Sequence, residues 1–531
     1  LFHHTLTMDD GWIVGGRYEN VSAARHPTSN QYISESESST IRAVADNYGT
    51  YAISPDNQLV SHSGFIYTVN WDTSDGVTAI AGYGGDQNCV ILESGAVRCW
   101  GNNNHGQLGA GNNDPNYDSP DSSSNVSFPA NYPAKHLSLA DSQSCAVLEN
   151  GEVYCWGYNP SWGGYSLGAG TTCDGGEYQN GCNGNYAWEE PFLPVLLPTN
   201  ASAKSIYIMG DNNAPKCAVL SDGNAACWGG NQAGALGTGT TNPAETPQLV
   251  YLPPGISADI QAIAVNGWND GQGTTCGLWG NGSVYCWGNN EIGQLGDGTC
   301  SSDYIPWGCN GSDASTPVEV VLPSGLNATA VGTGYYHTCA ILDDGLVYCW
   351  GYGREGQLGT GSQPDMSDYR SLTPVEVNLP AGRTATSISL GSRHVCAVLD
   401  NASIYCWGEN SHGNLGDGNE NTYGYAPVSV NLPSGRTATS VSAGGAHTCA
   451  ILDNGSVSCW GLGDDGALGN GGISNNNTPT PTNSLGAGRT AALVDGDAVG
   501  DGSAQGPRGS ADGGSGRDEP AAQHARGGGR R

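Results

Sequence analysis

Short runs of alternating apolar and polar residues, separated by glycine-rich turns, recur along most of this chain. In residues 89–99 the alternation predicts two strands around a three-residue loop, with Gly95 at the left-handed position that such a loop requires. This register pairs Ile91 with Val97 and sets Cys89 directly opposite Cys99. Because no segment shows a helical period, the pattern predicts an all-β fold.

Seven cysteine pairs share this ten-residue offset, and each second cysteine is followed by Trp-Gly and, in six of the seven repeats, by a Gly-x-Leu-Gly stretch. Facing residues of an antiparallel pair have Cα atoms ~4.5–5.5 Å apart, which is within disulfide range. Each hairpin is therefore predicted to carry its own disulfide, worth about 2.5–3 kcal/mol in the chain-entropy model. The predicted bridges join Cys89 to Cys99, Cys145 to Cys155, Cys217 to Cys227, Cys276 to Cys286, Cys339 to Cys349, Cys396 to Cys406 and Cys449 to Cys459.

Two other interpretations of these pairs are a metal site and free core thiols. Cysteines ten apart within one hairpin lack the C-x2–4-C spacing of zinc modules, and seven repetitions of facing pairs favour disulfides over thiols. The four remaining cysteines form two local pairs, Cys173 with Cys182 and Cys300 with Cys309, so that none is left as a nucleophile. Disulfides on this scale predict an oxidising, extracellular or cell-surface location.

A glycine recurs at the hairpin tip in most repeats, but Ala402 takes its place in one of them. A non-glycine residue in the left-handed region is predicted to be mildly strained.

The rest of each repeat supplies two further strands. Residues 374–380 alternate with period two, and after a Gly-Arg-Thr turn residues 385–390 form another short strand. Successive second cysteines lie 53 to 72 residues apart, a period that fits one four-stranded propeller blade per repeat. The prediction is a β-propeller of seven four-stranded blades.

The chain divides by composition into four segments. Residues 77–494 hold the seven repeats, and residues 40–76 look like a worn copy in which Tyr51 and Ser61 stand where the cysteines would be. That copy is either a degenerate eighth repeat or a set of strands that closes the ring. Residues 1–39 are a polar N-terminal extension, and residues 495–531 are a Gly/Ala/Arg-rich tail predicted to be disordered.

The tandem Trp-Gly and Gly-Gln-Leu-Gly motifs, as in Trp350-Gly351 and Gly356–Gly359, resemble the regulator of chromosome condensation repeat family. The resemblance covers about residues 77–494 and implies a propeller of usually seven blades. The paired cysteines depart from the nuclear members and look more like secreted, disulfide-rich relatives. A nucleotide-exchange activity is implied by the resemblance alone.

The formal net charge of −32 opposes binding to DNA and to anionic membrane surfaces. The chain also lacks an apolar stretch long enough for a membrane span. No nucleic-acid partner and no membrane insertion are therefore predicted.

The long loops after each Gly-x-Leu-Gly stretch vary in length while the frame stays constant, and repeating geometry delivers them to one face. Variable loops on a rigid scaffold are where binding concentrates, and Tyr and Trp are good anchors for protein or sugar. The candidate binding residues are Tyr117, Tyr178, Trp188, Tyr304, Trp307, Tyr369 and Tyr423. The alternative is that these rings cover their own loops.

No catalytic set emerges, so no enzyme activity is predicted. His337, His394 and His447 recur two residues before a hairpin cysteine, which favours a structural hydrogen bond over a base or metal ligand. Acidic loops at 297–299 and 417–421 raise calcium as a hypothesis, but they lack EF-hand spacing, and no cofactor or metal is predicted.

Three glycosylation sequons fall at hairpin tips, at Asn281, Asn401 and Asn454, where exposure makes modification sterically feasible. The sequence as a whole predicts a secreted or cell-surface, acidic glycoprotein that binds an extracellular protein or glycan. The alternative is a structural subunit of an extracellular assembly, whose partners are copies of itself.

Overall fold

The structure is a computed structural model. It describes residues 39–41, 44–45, 50–53, 59–62, 66–68, 75–83, 87–111, 123–126, 128, 132–140, 142–158, 167–169, 193–208, 214–268, 272–300, 312–363, 369–420, 422–454, 456–463, 468, 470, 472–481 and 489–491. These residues belong to one compact unit, Leu1–Asp501. They form strands, turns and irregular segments, and no helix among them could span a membrane.

The strands form eight antiparallel sheets, seven of four strands and one of three, here numbered I to VIII in chain order. Sheet I contains β2 (Val44–Ala45), β3 (Thr50–Ile53), β4 (Leu59–His62) and β5 (Ile66–Thr68). Sheet II contains β6 (Val77–Tyr83), β7 (Gln87–Leu92), β8 (Val97–Gly101) and β9 (Ser124–Val126). Sheet III contains β10 (Ala134–Ala140), β11 (Gln143–Leu148) and β12 (Val153–Gly157). Sheet IV contains β13 (Ala203–Ile208), β14 (Lys216–Leu220), β15 (Ala225–Gly229) and β16 (Ala244–Leu249).

Sheet V contains β17 (Ile260–Trp268), β18 (Gln272–Trp279), β19 (Val284–Gly288) and β20 (Ala314–Glu319). Sheet VI contains β21 (Ala328–Thr333), β22 (His337–Leu342), β23 (Val347–Tyr352) and β24 (Arg370–Glu376). Sheet VII contains β25 (Ala385–Leu390), β26 (His394–Leu399), β27 (Ile404–Glu409) and β28 (Tyr423–Ser429). Sheet VIII contains β29 (Ala438–Ala443), β30 (His447–Leu452), β31 (Val457–Gly461) and β32 (Asn476–Pro481). The strands of each sheet pair in chain order and are called a, b, c and d below.

The predicted β-propeller is confirmed, and sheets II to VIII are the seven cysteine repeats. Six of them have four strands. In sheet III the described part of the fourth-strand region makes an isolated bridge between Tyr154 and Pro194, and the Val195 N–H donates to the Val153 carbonyl at 2.8 Å. In the worn copy, sheet I pairs Tyr51 with Ser61.

Two further strands, β1 (Ser39–Ile41) and β33 (Arg489–Ala491), pair in parallel with each other. The predicted segment boundaries at residues 39, 76 and 494 stay predictions.

The hairpin register derived from the alternation is confirmed, since Ile91 pairs with Val97 and Cys89 with Cys99. All seven predicted hairpin disulfides are formed, each with a Cα–Cα distance of 4.1 Å. They join Cys89 to Cys99, Cys145 to Cys155, Cys217 to Cys227, Cys276 to Cys286, Cys339 to Cys349, Cys396 to Cys406 and Cys449 to Cys459.

The two additional local pairs are described only in part. Cys300 is disulfide-bonded and 1% exposed, whereas Cys173, Cys182 and Cys309 lie outside the described residues. No free cysteine occurs among the described residues.

The hairpin tips adopt the predicted left-handed conformation. Gly345 has φ +77°, and Ala402, at the equivalent position, has φ 61°. The strain predicted at Ala402 is therefore present, since an L-residue pays a steric cost there.

The fourth strand differs from the expected 374–380, because β24 ends at Glu376. The Val377 N–H still donates to the Val347 carbonyl of β23 at 2.9 Å, but the next N–H, that of Asn378, donates to the Gly359 carbonyl at 2.9 Å. Val377 and Leu379 remain buried. The apolar alternation therefore continues past the strand, because it records burial and not ladder pairing.

Successive blades are joined at two recurring points. The first is the hairpin tip, whose carbonyl accepts from the first strand of the next blade, as in Ala385 N–H to Gly345 at 2.8 Å and Ala438 N–H to Ala402 at 2.8 Å. The second is the tryptophan after the second cysteine. Trp287 Nε1 donates to the Ala235 carbonyl of the preceding blade at 2.9 Å, and its ring is fully buried.

The same tryptophan bond recurs in four other blades at 2.8–2.9 Å, in Trp156, Trp350, Trp407 and Trp460. The repeated tryptophans thus form contacts that hold one blade to the next.

Candidate functional site

Each blade presents two ends. The b–c tips and d–a segments lie at one end, called the tip face, where exposed ion pairs such as Arg383–Asp400 at 3.1 Å occur. The a–b turns and c–d loops lie at the other end, called the loop face. Each described b–c tip is a short loop that ends in a left-handed residue, and its length is the same in every blade. The segments whose length and sequence differ between blades lie at the loop face.

The candidate anchors were all placed on the c–d loops. Tyr117, Tyr178, Trp188, Tyr304 and Trp307 lie outside the described residues. Tyr369 and Tyr423 are described, and both are half-buried. Tyr423 packs against Tyr425, with ring centroids 6.1 Å apart. These seven residues remain predicted binding residues.

Tyr369 belongs to a row of four tyrosine rings at the loop end of sheet VI. Tyr335 and Tyr336 occupy the a–b turn and meet edge to face at 4.5 Å. Tyr336 lies 6.2 Å from Tyr352 at the end of β23, and Tyr352 lies 5.3 Å from Tyr369 just before β24. All four rings are half-buried. Aromatic pairs in this geometry pack favourably, and their half-burial leaves part of each ring at the surface.

Two arginines close the row at its ends. Arg393, on the a–b turn of sheet VII, lies over the Tyr335 ring at 5.7 Å, and Arg354 lies over the Tyr369 ring at 5.9 Å. Glu355 joins the two ends, because its Oε1 pairs with Arg393 Nη1 at 3.1 Å and its neighbour in the chain is Arg354. The site therefore spans the seam between two blades. We call it the Tyr–Arg cluster, comprising Tyr335, Tyr336, Tyr352, Arg354, Glu355, Tyr369 and Arg393.

Both carboxylate oxygens of Glu355 accept hydrogen bonds. Arg393 Nη1 donates to Oε1, and Gln357 Nε2 donates to Oε2 at 2.9 Å. The residue is 8% exposed, and burial raises the pKa of its carboxyl, while the neighbouring Arg393 opposes that rise. Titratable groups with pKa values perturbed by burial and by a specific partner are concentrated at functional sites.

Burial likewise raises the pKa of three tyrosines in the row, to about 12 for Tyr352 and upward for Tyr335 and Tyr336. The phenols of these three residues therefore stay protonated at neutral pH. They present neutral hydrogen-bonding groups beside the two guanidinium groups.

Sequence reasoning found Tyr369 but missed the other six members of the cluster. The predicted binding loops were those after each Gly-x-Leu-Gly stretch. Tyr335, Tyr336 and Arg393 lie instead on a–b turns, which end at the same face. Tyr352, Arg354 and Glu355 lie just before Gly356, where that stretch begins. A signal was present: in the turn before the recurring histidine, sheet VI has Tyr335-Tyr336 where sheet VII has Ser392-Arg393 and sheet VIII has Gly445-Ala446. The backbone course repeats, but the side chains do not.

Of the three recurring histidines, His337 and His394 are buried, whereas His447 is half-buried. His394 Nε2 and Thr448 Oγ1 of the next blade lie 2.8 Å apart, which supports the structural interpretation at this residue. Neither ring nitrogen of His337 has a hydrogen-bond partner among the described residues. Burial lowers the pKa of His337 and His394 to about 3 and that of His447 to about 4. They are neutral at ordinary pH.

The acidic loops use their carboxylates internally. Asp297 Oδ1 accepts from the Thr299 N–H at 2.9 Å, and Asp417 Oδ1 accepts from the Asn419 N–H at 3.0 Å. Among the described residues, no group of three His, Cys, Asp or Glu side chains is arranged to hold a metal ion.

Asn281, Asn401 and Asn454 are exposed at the tip face. In Asn401 the Oδ1 atom accepts from the Ser403 hydroxyl of the same sequon at 2.6 Å, and Asn454 and Ser456 repeat this bond at 2.7 Å. Glycosylation at these residues stays a prediction.

Comparison with known proteins places these features in context. The family model of the RCC1-like domain matches residues 214–500, more than half of the chain. Models of the regulator of chromosome condensation (RCC1) repeat match residues 77–107, 141–161 and 94–147.

Two relatives and one solved structure illustrate the range. The ultraviolet-B receptor UVR8 of Arabidopsis thaliana is 30% identical over 398 residues, covering 74% of this chain and 79% of the receptor. The human E3 ubiquitin-protein ligase HERC2 is 24% identical over 387 residues, but the match spans 71% of this chain and 7% of that protein. Prp20p of Saccharomyces cerevisiae, whose binding to Gsp1p and histones has been studied, superposes with a TM-score of 0.51 at 20% identity, over 73% of this chain and 86% of Prp20p. At that identity the likeness shows the fold alone.

Proposed function

Since the chain belongs to the RCC1-like repeat family, whose propellers are protein-interaction modules, we propose that it is a secreted or cell-surface binding module that engages an extracellular protein or glycan through its loop face. The observation that carries the proposal is the Tyr–Arg cluster. Tyrosine and arginine are the residues most enriched at protein-binding hot spots, and here they are gathered at a seam between two blades.

The compartment is proposed from the disulfides. The seven hairpin disulfides are buried in the blades. Disulfides persist in oxidising compartments and are rare in reducing ones, so they favour an extracellular location. The net charge of −32 suits a protein that stays soluble in salty surroundings and opposes binding to nucleic acid. The partner is therefore sought among extracellular proteins and glycans.

A pull-down and a glycan array test the binding face, using the full chain and one repeat-guided variant. Tyr335→Ser with Tyr336→Ala introduces residues that the same turn carries in sheets VII and VIII, so the backbone is expected to tolerate them. We expect this variant to lose most of the captured partner, while Arg383→Ala on the tip face captures it normally. Equal capture by both variants would overturn the proposed face.

A second measurement tests the compartment. Non-reducing peptide mapping of the native protein is expected to recover Cys89 linked to Cys99, and likewise the other six hairpin pairs. Free thiols at these residues would overturn the extracellular assignment.

The alternative function, a structural subunit of an extracellular assembly, is favoured by a different observation. Leu196, Tyr251 and Val321 occupy equivalent positions after three successive fourth strands and are 53%, 51% and 54% exposed. The next two blades carry Asn378 and Asn431 there. Sedimentation velocity of native material distinguishes the two functions, because an assembly built through this apolar rim would dissociate when Tyr251 is changed to Asn.

A further inference from the structure

We propose that the Tyr–Arg cluster recognises a protein segment that presents one or two Asp or Glu carboxylates beside an apolar side chain. The inference rests on the proposed binding role of the loop face and names the chemistry of its partner.

Arg354 is the first group that points to this partner. It is exposed, it lies over the Tyr369 ring at 5.9 Å, and it makes no ion pair with any described carboxylate. An arginine supported by an aromatic face presents its planar set of N–H donors in a fixed direction, which suits two-point recognition of a carboxylate.

Arg393 is the second group, and Glu355 positions it. The Arg393 side chain is 40% exposed, and its Nη1 pairs with one carboxylate oxygen, Glu355 Oε1, at 3.1 Å. A guanidinium has five N–H donors, so a ligand carboxylate can be added to this pair. The Glu355 side chain is 11% exposed and its second oxygen is taken by Gln357, so Glu355 orients Arg393 and is not itself a ligand group.

The contrast with the tip face supports the assignment. Arg383 and Arg436 on that face pair with exposed partners, Asp400 at 3.1 Å and Asp453 at 3.4 Å. Both of those arginines sit on a Gly-Arg-Thr turn and repeat the same pair. On the loop face, Arg354 and Arg393 do not repeat, and each lies over a tyrosine ring.

The tyrosine row sets the second requirement. Four half-buried rings beside the guanidinium groups offer an apolar surface that a charged segment alone would leave uncovered. The net charge of −32 acts against a long acidic run, because such a segment would be repelled by the rest of the surface. One or two carboxylates flanked by apolar residues satisfy both conditions, whereas a basic segment would face Arg354 directly.

Selection from a random heptapeptide display library on the immobilised full-length chain tests the proposal. We expect the recovered peptides to be enriched in Asp or Glu next to aromatic or aliphatic residues. The enrichment should disappear with Arg354→Gln and persist with the matched tip-face variant Arg383→Gln. Both substitutions remove one exposed arginine charge and leave the same shorter, neutral polar side chain.

Affinities of the recovered peptides provide the second measurement. Replacing the peptide's Glu by Gln should weaken binding to the wild type about tenfold or more, and have little effect on binding to Arg354→Gln. Peptides enriched in Lys or Arg, acidic peptides indifferent to Arg354→Gln, or no enrichment at all would each overturn the proposal.

These outcomes are separable from failure of the proposed function. If Tyr335→Ser with Tyr336→Ala abolishes capture of the natural partner while Arg354→Gln does not, the loop face binds but the carboxylate chemistry is wrong. If neither change affects capture, the loop face itself is not the binding surface.

Discussion

The tryptophan hydrogen bonds between blades and the Tyr–Arg cluster are both contacts between adjacent blades. The first are made by residues that repeat in most blades, the second by residues that do not repeat. At the seams the same indole donates to an equivalent carbonyl in blade after blade, as Trp287 does to Ala235. At the cluster one backbone position carries Tyr336 in sheet VI, Arg393 in sheet VII and Ala446 in sheet VIII. Where the backbone and the side chain both repeat, the contact holds the propeller together. Where only the backbone repeats, the side chain is not needed for blade packing and can contribute to binding a partner.

If this distinction is right, changes at repeated residues cost stability and changes at the cluster cost binding. The following predictions test it, and the largest expected effects on stability come first.

Trp287→Ala should have the largest effect. It removes a fully buried ring and a hydrogen bond to the preceding blade, a loss of about 3–5 kcal/mol in the free energy of unfolding. Trp287→Phe keeps most of the bulk and should cost less, since it mainly removes the donor to a buried carbonyl. Urea denaturation combined with hydrogen exchange of sheets IV and V measures both. A near-neutral Trp287→Ala would contradict the structural role of the seam.

Replacing both cysteines of one hairpin should come next. Cys217→Ala with Cys227→Ala opens a bridge between two completely buried strands, and we expect a loss of about 2–4 kcal/mol. Because the site lies in sheets VI and VII, binding measured at low temperature should stay close to that of the wild type. A large loss of affinity with an intact fold would show that the two regions are not independent.

Acid should destabilise the protein through its buried histidines. The pKa of His337 is lowered to about 3 from an ordinary value of 6.5, so between these two pH values the unfolded chain holds a proton that the folded chain does not. Stability is therefore greatest above pH 6.5 and falls by about 1.4 kcal/mol per pH unit for this residue as the pH drops toward 3.

His337→Gln tests that residue directly, since glutamine stands at the equivalent position as Gln87 and Gln143. Its unfolding free energy should decline less steeply between pH 6.5 and about 4 than that of the wild type. Parallel curves for the two proteins would be inconsistent with a buried, neutral His337.

Ala402→Gly should stabilise the protein by about 0.5–1 kcal/mol, because it relieves the left-handed strain at φ 61°. The matched opposite change, Gly345→Ala, should destabilise it. Its new Cβ would lie 2.6 Å from Thr384 Cβ in addition to adopting φ +77°. Thermal unfolding of the two variants compares identical tips of neighbouring blades.

Arg354→Gln should have the smallest effect on stability, within about 0.5 kcal/mol, because the side chain is exposed and makes no ion pair with a described carboxylate. Its effect should appear in binding instead. A destabilisation as large as that of the double cysteine variant would show that Arg354 stabilises the fold. It would contradict the division between the repeated structural contacts and the Tyr–Arg cluster.

Most of the strands and disulfides of the propeller were predictable because they follow from local, repeated sequence patterns. The offset of ten between Cys89 and Cys99 implied the hairpin register, and the disulfide at a Cα–Cα distance of 4.1 Å follows from that register. The strand 385–390 was predicted with its bounds, since alternation, turn chemistry and burial agree there. The strand predicted at 374–380 extends too far because Leu379 is buried after the pairing with β23 has ended.

The candidate site was only partly predictable. Tyr369 was found from the loop that carries it, but Arg393 lies in the next repeat and meets Glu355 across a seam. No spacing along the chain encodes that meeting.

The sequence by itself thus determined the repeat, the hairpin register, the seven bridges and the left-handed tips, because each depends on residues close together in the chain. Only the tertiary structure decided which a–b turn faces which c–d loop. That placement depends on how one blade packs on the next, and it gathers four tyrosines, two arginines and a buried carboxylate into the proposed binding surface.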